Sequence, residues 1–262
     1  MAKHIFVLTI LSTFLVLTES WSQTVPKKIV VEHFTNTRCS VCAFRNPGFY
    51  AALPKSDNIL HISYHPSSPY STCLFNTQNR AENDARAYHY DVFGGTPVFV
   101  INGEPRTGSD VQNVSVYNPF FGSMSPFKVE TSLESHHPDS ITIISRIEAV
   151  ETHTFTDISI YLPLAEDTVF YNAPNGENIH RDVFRQSFTG TEPLVIKAPI
   201  KSADPTSIKR TLQVRSIWDT SRLYAMSIVQ SVSGDKPVLQ SSKSPLLSKG
   251  SISSSDDESV KT

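Results

Sequence analysis

The 262-residue chain has little cysteine, few glycines and no excess of charge of either sign. It contains 3 Cys, 10 Gly and 2 Trp, and its 23 basic side chains stand against 25 acidic ones, for a net charge of −2. A near-neutral chain without an arginine-rich helix has no basic field to draw it to nucleic acid or anionic lipid. It also has no zinc-finger spacing, phosphate-binding glycine loop or internal repeat. We therefore expect neither a nucleic-acid nor a nucleotide partner.

The hydrophobic run near the N-terminus, Ile5 to Leu17, is shorter than the roughly 20 residues that a membrane-spanning helix needs. Lys3 and His4 precede the run and a polar stretch follows it, which is the pattern of a secretory signal peptide. We assign residues 1–22 to this signal peptide and, because no cysteine stands at the expected cleavage junction, expect no lipid anchor. The mature protein is predicted to be exported, where a cysteine pair can form a disulfide. Any association with a membrane is expected to be peripheral.

The order of predicted elements after the signal peptide is typical of a compact α/β unit, which we assign to residues 23–125. The continuous apolar run at 29–31 indicates a strand that is covered on both faces. Pro47 is expected to interrupt the first helix, and Asn102-Gly103 is a typical two-residue hairpin turn. In chain order, the predictions are a strand at 28–34, a helix at 41–53, a strand at 59–64, a helix at 74–90 and a strand at 98–101.

After residue 125 the pattern changes to short alternating strands without a predicted helix. Pro, Asn, Asp and Gly separate these strands, which is typical of an antiparallel sandwich. We predict an immunoglobulin-like or fibronectin-like β-sandwich over residues 126–243, with a long polar loop at 172–190. The serine-rich and acidic residues 244–262 hold too little apolar surface to order themselves and are predicted to be a disordered tail.

The cysteine pair Cys39-Ser40-Val41-Cys42 comes between the first predicted strand and the first predicted helix. A cysteine at a helix start meets unpaired N–H groups and the helix dipole, which stabilise a thiolate. A second cysteine one turn later lies within disulfide reach. Cys39 is therefore the candidate attacking thiol, and Cys42 the candidate resolving thiol, of thiol–disulfide exchange.

Thr96-Pro97 leads directly into the third predicted strand. Beside a cysteine pair, this pattern favours a cis-proline loop in which the Thr96 backbone is available to bind a peptide strand. Together the two motifs predict a thioredoxin-like domain, with Thr96 and Pro97 as substrate-binding residues. The expected partners are thiols or disulfides of exported proteins or peptides, and no cofactor or metal is expected.

Other roles for the cysteines remain open. The pair can be a structural disulfide without turnover, or half of a metal site. A zinc site with four cysteine ligands would need a second CxxC, which the sequence does not contain. A copper site would need His61 or His65 beside the pair. Cys73 can be a buried thiol, a site of intermolecular pairing or a resolving thiol.

Several segments resemble the Omp28-related outer membrane proteins of Bacteroidetes. Residues 32–42, EHFTNTRCSVC, are similar to the family stretch E-D-F-T-G-T-W-C-x-x-C, and residues 64–65, 95–103 and 223–240 are also similar. Members of that family carry a thioredoxin-like domain followed by a β-sandwich. The resemblance therefore implies this order over nearly all of the mature chain, and a location in the periplasm, the outer membrane or the cell surface.

Two departures from that pattern concern the candidate site. Arg38 stands where many thioredoxin-like domains have a Trp that contacts substrate. His33 stands where thioredoxins place a buried carboxylate that moves a proton to or from the second cysteine. Either His33, which titrates near neutral pH, or Glu32 is the candidate for that role; His33 can equally be an inert strand residue. Two hypotheses follow: a thiol–disulfide oxidoreductase, and a redox-inactive surface module for binding or adhesion that uses the domain as a scaffold.

Overall fold

The computed structural model describes residues 24–137, 139–200 and 204–247. The predicted signal peptide at 1–22 lies outside these described residues, and so does the predicted tail beyond residue 247. Within the described ranges, no helix has the length and apolar character that crossing a membrane requires.

The first part of the chain forms the predicted strands and helices, with two differences. The helix predicted at 74–90 is divided at Asn79, whose backbone leaves the helical region (φ −156°, ψ 71°). The first helix continues through Pro47, because the fully buried Phe49 holds its next turn against the sheet. In chain order the elements are β1 (Val25–Pro26), β2 (Ile29–Phe34), α1 (Ser40–Ala52), β3 (Ile59–Tyr64), α2 (Leu74–Gln78), α3 (Arg80–His89), β4 (Val98–Ile101) and β5 (Glu104–Thr107).

The rest of the described chain is built from strands and short 3-10 helices. The 3-10 helices span Asp110–Gln112, Val114–Phe120 and Thr220–Arg222. The strands are β6 (Met124–Ser125), β7 (Phe127–His137), β8 (Ser140–Ala149), β9 (Asp157–Tyr161), β10 (Pro163–Phe170), β11 (Ile179–Ser187), β12 (Leu194–Lys197), β13 (Thr206–Gln213), β14 (Leu223–Ser231) and β15 (Val238–Lys243).

Strands from both parts of the chain join in one mixed sheet. Its order is β12-β9-β14-β10-β11-β3-β2-β4-β5, and β15 also pairs with β14, which makes a 10-stranded sheet. β2 lies parallel to β3 and antiparallel to β4, and β3 pairs in parallel with β11 on its other side. A separate 3-stranded sheet has the order β13-β8-β7.

The predicted fold class, a thioredoxin-like α/β domain followed by a separate immunoglobulin-like or fibronectin-like sandwich, is wrong. Strands make up 42% of the described residues and helices 19%, and no clear thioredoxin arrangement is present. β11 lies within residues 172–190, which the sequence analysis predicts to be a loop. Instead it joins the strands of the two parts into the 10-stranded sheet. The division of the chain between residues 125 and 126 stays a prediction.

The polar composition of β11 is the reason that the sequence pattern did not indicate a strand. Arg185 of β11 is only 4% exposed, and it donates to Glu166 of β10 at 2.9 Å and to Gln78 of α2 at 2.8 Å. Buried charged groups are tolerated when they are paired and hydrogen bonded. The charge of Arg185, which in the sequence suggests a solvent-exposed loop, is therefore paired with that of Glu166 inside the protein.

Alternate residues of β2 face two different cores. Ile29 and Val31 pack in a core with α1, whereas Val30 and Phe34 pack in a core with α3 and β14. This follows from the two-residue period of a strand, which sends successive side chains to opposite faces. The cysteine pair, at the start of α1, belongs to the first of these faces.

Candidate active site at the cysteine pair

Cys39 occupies the N-cap of α1, directly before the first helical residue. A local turn brings it there: the backbone N–H of Arg38 donates to the Asn36 side chain at 3.0 Å, and that of Cys39 donates to the Asn36 carbonyl at 3.1 Å. The Cys39 sulfur accepts a hydrogen bond from the backbone N–H of Cys42 at 3.1 Å. The sulfur thus caps the helix, because it accepts a hydrogen bond from one of the first N–H groups, which have no partner within the helix.

These contacts lower the pKa of Cys39 from 9.0 to about 6. The largest cause is the thiol of Cys42, which donates a hydrogen bond to the Cys39 sulfur. Thr96 and the backbone N–H groups of Cys42 and Val41 act in the same direction, whereas burial opposes them. Cys39 is therefore mostly thiolate at pH 7, and the thiolate is the form that attacks a disulfide.

Cys42 lies one turn farther along α1 and is fully buried. Burial is the largest cause that raises its pKa far above the ordinary value, and the Cys39 sulfur raises it further. The Thr35 and Thr96 side chains act in the opposite direction. The two cysteines therefore differ in protonation state: Cys39 is ionised, and Cys42 keeps its proton. Thiol–disulfide exchange uses this difference between the attacking and the resolving thiol.

Thr96 and Pro97 belong to the same site. The Thr96 carbonyl oxygen lies 3.4 Å from the Cys39 sulfur. The peptide bond between Thr96 and Pro97 is cis, as predicted, and the buried Pro97 leads directly into β4. The structure thus brings Cys39, Cys42, Thr96 and Pro97 together.

His33 is fully buried on the α1 face of β2. Its ring stacks on that of Phe99, with centroids 4.3 Å apart, and lies 4.9 Å from that of Phe49. Neither of its ring nitrogens has a hydrogen-bond partner among the described residues. Burial, followed by the neighbouring His61 and His65, lowers the pKa of His33 well below its ordinary value. His33 is therefore neutral at pH 7.

Glu32 lies on the opposite face of β2, away from α1. Arg86 of α3 donates to its two carboxylate oxygens at 2.6 and 2.8 Å, and the Tyr90 hydroxyl also donates to it. Glu32 and Arg86 are almost completely buried. Glu32 is therefore held in an ion pair on the far side of the sheet, and the fold does not bring it to the cysteine pair.

The loop at 171–178, between β10 and β11, also contacts the cysteine pair, and sequence reasoning missed it. The Asn175 side chain donates to the Cys39 carbonyl at 3.1 Å and to Glu177 at 2.6 Å. Glu177 in turn accepts a hydrogen bond from Asn46 of α1 at 2.7 Å. A cavity of about 560 Å³ lies between the loop and α1. Asn175 is 136 residues from Cys39 along the chain, and no local motif marks it.

Cys73 is buried at the start of α2, where the Thr37 hydroxyl donates to its sulfur at 3.2 Å. All three cysteines are free thiols. His61 is hydrogen bonded to Asp182 at 2.8 Å, and the ring of His65 packs against that of Phe75. In the described part of the chain, no three His, Cys, Asp or Glu side chains lie close enough together to hold a metal ion.

The comparisons with known proteins concern the fold. No family model and no curated protein matches the chain. Among solved structures, HBP35 of Porphyromonas gingivalis is similar with a TM-score of 0.69 and 13% sequence identity, over 90% of this chain and 80% of that one. A domain of the outer membrane lipoprotein Omp28 from the same organism matches with a TM-score of 0.35 and 13% identity, over 47% of this chain and 89% of the domain.

An identity of 13% shows a shared fold and nothing more about activity. The TM-score of the Omp28 domain is too low to support the family resemblance that the sequence motifs suggest. The chain is therefore similar in fold to HBP35 of Porphyromonas gingivalis, and its membership of the Omp28-related family stays a prediction.

Proposed function

We propose that this protein carries out thiol–disulfide exchange through Cys39 and Cys42. The observation that carries the proposal is the position of the Cys39 sulfur, which caps α1 at 3.1 Å from the Cys42 N–H and lies 3.4 Å from the Thr96 carbonyl. A lowered pKa at the first cysteine and a raised pKa at the second support this division of roles. The Cys39 thiolate attacks first, and Cys42, which keeps its proton until the second step, resolves.

The exchange proceeds in two steps. The Cys39 thiolate attacks one sulfur of a substrate disulfide, so that a mixed disulfide forms and the other substrate sulfur leaves as a thiolate. Cys42 then loses its proton to solvent and attacks the Cys39 sulfur, which releases the second substrate thiolate. The substrate disulfide gains two electrons, and the cysteine pair, which loses them, becomes a disulfide. The reverse sequence oxidises a substrate dithiol.

Exposed apolar side chains beside the pair favour a polypeptide substrate. Val41 and Phe44, both on α1, are 49% and 82% exposed. Apolar side chains grouped at the surface commonly mark a contact site for another chain. In this proposal the substrate is an exported protein or peptide that lies over Val41 and Phe44 and pairs with the backbone at Thr96-Pro97.

We propose a location in the periplasm, at the outer membrane or at the cell surface. The support is the signal-peptide pattern at residues 1–22. In the oxidising compartment that such a signal leads to, the cysteine pair can form a disulfide.

A titration of the thiols in redox buffers tests the proposal. The protein is equilibrated at a series of thiol–disulfide potentials, quenched with an alkylating reagent of large mass, and scored by mass shift, in parallel with an insulin-reduction assay. We expect Cys39 and Cys42 to change together between dithiol and disulfide, and Cys39→Ser to abolish insulin reduction. If the pair never interconverts, or if Cys39→Ser retains full activity, the exchange proposal is wrong.

A second candidate function is a redox-inactive surface module for binding or adhesion. The observation that favours it is the burial of Cys39, which is only 2% exposed and therefore gives a substrate sulfur little access without movement of the surrounding loops. The double variant Cys39→Ser/Cys42→Ser separates the two functions in a strain that lacks the gene. Full restoration of the phenotype of the cells by this variant would support the binding module, and no restoration would support exchange.

A further inference from the structure

One residue of the loop between β10 and β11 contacts the backbone of the turn that carries the attacking cysteine. Nδ2 of Asn175 donates to the carbonyl of Asn36 at 3.2 Å and to that of Cys39 at 3.1 Å, at the two ends of the turn. The backbone N–H of Asn175 donates to the carbonyl of Thr37 at 3.1 Å. Asn175 therefore pairs with three carbonyl groups of this one turn, although it lies 136 residues beyond Cys39.

The orientation of the Asn175 amide is fixed by Glu177. Oε2 of Glu177 accepts a hydrogen bond from Nδ2 of Asn175 at 2.6 Å, and the backbone N–H of Glu177 donates to Oδ1 of Asn175 at 3.1 Å. An ionised carboxylate only accepts hydrogen bonds and a backbone N–H only donates, so the nitrogen of this amide and not its oxygen faces the turn. Oε1 of Glu177 accepts a further hydrogen bond from Asn46 of α1 at 2.7 Å, which ties the loop to the helix as well.

The position of the Cys39 sulfur depends on the backbone that Asn175 holds. Cys39 is the N-cap of α1, and its φ of −84° and ψ of 110° lie outside the helical region. Its carbonyl accepts the first hydrogen bond of the helix, from the backbone N–H of Ala43 at 3.2 Å, and uses its second lone pair for Asn175. With this backbone conformation the sulfur lies 3.1 Å from the backbone nitrogen of Cys42. Holding the carbonyl of Cys39 therefore also limits where its sulfur can lie.

We propose that Asn175 is a positioning residue for thiol–disulfide exchange: it holds the turn at 36–39 so that the Cys39 sulfur stays at the start of α1, where the first N–H groups of the helix stabilise the attacking thiolate. This inference rests on the proposed exchange function. Without the Nδ2 group the turn has more conformational freedom, and a sulfur that moves away from the Cys42 N–H is a less stable thiolate. A less stable thiolate in turn shifts the equilibrium of the pair toward the disulfide.

Two measurements test this role. The parent and each variant are equilibrated with mixtures of reduced and oxidised glutathione, and the fraction of the pair in the disulfide form gives the equilibrium constant. The dithiol form of each protein is also treated with iodoacetamide over a range of pH values, and mass spectrometry of its peptides gives the labelling rate of Cys39. Cys73, which is fully buried, remains unlabelled as long as the protein is folded.

We expect Asn175→Ala, which removes the donor, to raise the pH midpoint of Cys39 labelling by roughly half a unit and to favour the disulfide on the order of threefold. Asn175→Asp keeps the shape but places a carboxylate against the two carbonyls and beside Glu177, and it should have the larger effect. Glu177→Gln keeps the volume and weakens the hold on Asn175, so its effect should have the same direction and be smaller. Asn178→Ala and Asn178→Asp are the matched controls, because Asn178 is an exposed residue of the same loop; both should keep the values of the parent.

An unchanged midpoint and equilibrium constant in Asn175→Ala and Asn175→Asp overturn this inference and leave the exchange function intact. Equal shifts in Asn175→Asp and Asn178→Asp also overturn it, because any negative charge in the loop would then act in the same way. If labelling of Cys73 shows that the Asn175 variants do not fold, Glu177→Gln decides, and values equal to those of the parent overturn the inference. A parent whose cysteine pair never forms the disulfide overturns the proposed function itself.

Discussion

Glu32 and His33 are neighbours in β2, both are buried, and their surroundings are opposite in character. Glu32 forms an ion pair with Arg86 on the face that packs on α3 and β14. The ring nitrogens of His33 have no hydrogen-bond partner within the described ranges, and the ring stacks on that of Phe99 on the α1 face. A polar residue can be buried either by pairing its charge or by losing it. In β2, the charge of Glu32 is paired on one face, and His33 is neutral on the other.

This difference separates the two candidates for the proton-transfer role. The two residues are adjacent in sequence and are equally good candidates on that basis. Because strand side chains alternate, only His33 shares a face with α1. On that side of the sheet Cys39 is ionised and His33 is neutral.

Breaking the ion pair on the α3 face is expected to have the largest effect. Arg86→Met leaves the Glu32 carboxylate buried without its partner, and the free energy of unfolding should fall by about 3–5 kcal/mol. The double variant Glu32→Gln/Arg86→Met removes both charges and should recover much of that loss. Urea denaturation of the parent and both variants measures this. A single variant no less stable than the double would contradict the ion-pair account.

Replacing the neutral histidine should change how stability depends on pH. The pKa of His33 is lowered in the folded protein, whereas the unfolded chain has the ordinary value of about 6.5. Below pH 6.5 the unfolded state thus binds a proton that the folded state does not. The free energy of unfolding therefore decreases as the pH is lowered below 6.5. This residue contributes up to about 1.4 kcal/mol per pH unit to that decrease.

The variant His33→Phe keeps an aromatic ring and cannot take up that proton. It should lose less stability than the parent between pH 7 and pH 5, while the two proteins differ little at pH 7. Urea denaturation at each pH provides the measurement. Identical pH dependence in parent and variant would show that folding does not lower the pKa of His33.

The smallest expected effect is a change in the pKa of Cys39, the thiolate on the α1 face. The thiol of Cys42 is the largest cause of the lowered pKa of Cys39, so Cys42→Ala should raise that pKa from about 6. Rates of alkylation of Cys39 with iodoacetamide, measured from pH 4 to pH 9, give the midpoint in each protein. Cys73→Ala serves as the control and should keep the midpoint of the parent. An unchanged midpoint in Cys42→Ala would assign the effect to the helix start instead.

Local patterns in the sequence predicted the parts of the site that lie close together along the chain. The strands at Ile59–Tyr64 and Val98–Ile101 have the predicted bounds, because apolar runs end at polar or turn-forming residues. The same kind of pattern did not identify β11. Its charged side chains, such as Arg185, are paired with residues from other elements, and no window of sequence contains those partners.

The placement of Cys39 and Cys42 on one helical turn, and of Thr96-Pro97 before a strand, follows from the sequence by itself, because helix starts and strand entries depend on neighbouring residues. Only the tertiary structure decided that Glu32 faces Arg86 and that Glu177 reaches Asn46, 131 residues away. Contacts of this kind arise where strands from distant parts of the chain join one sheet. Side chains meet there according to strand order and face, which no local pattern encodes.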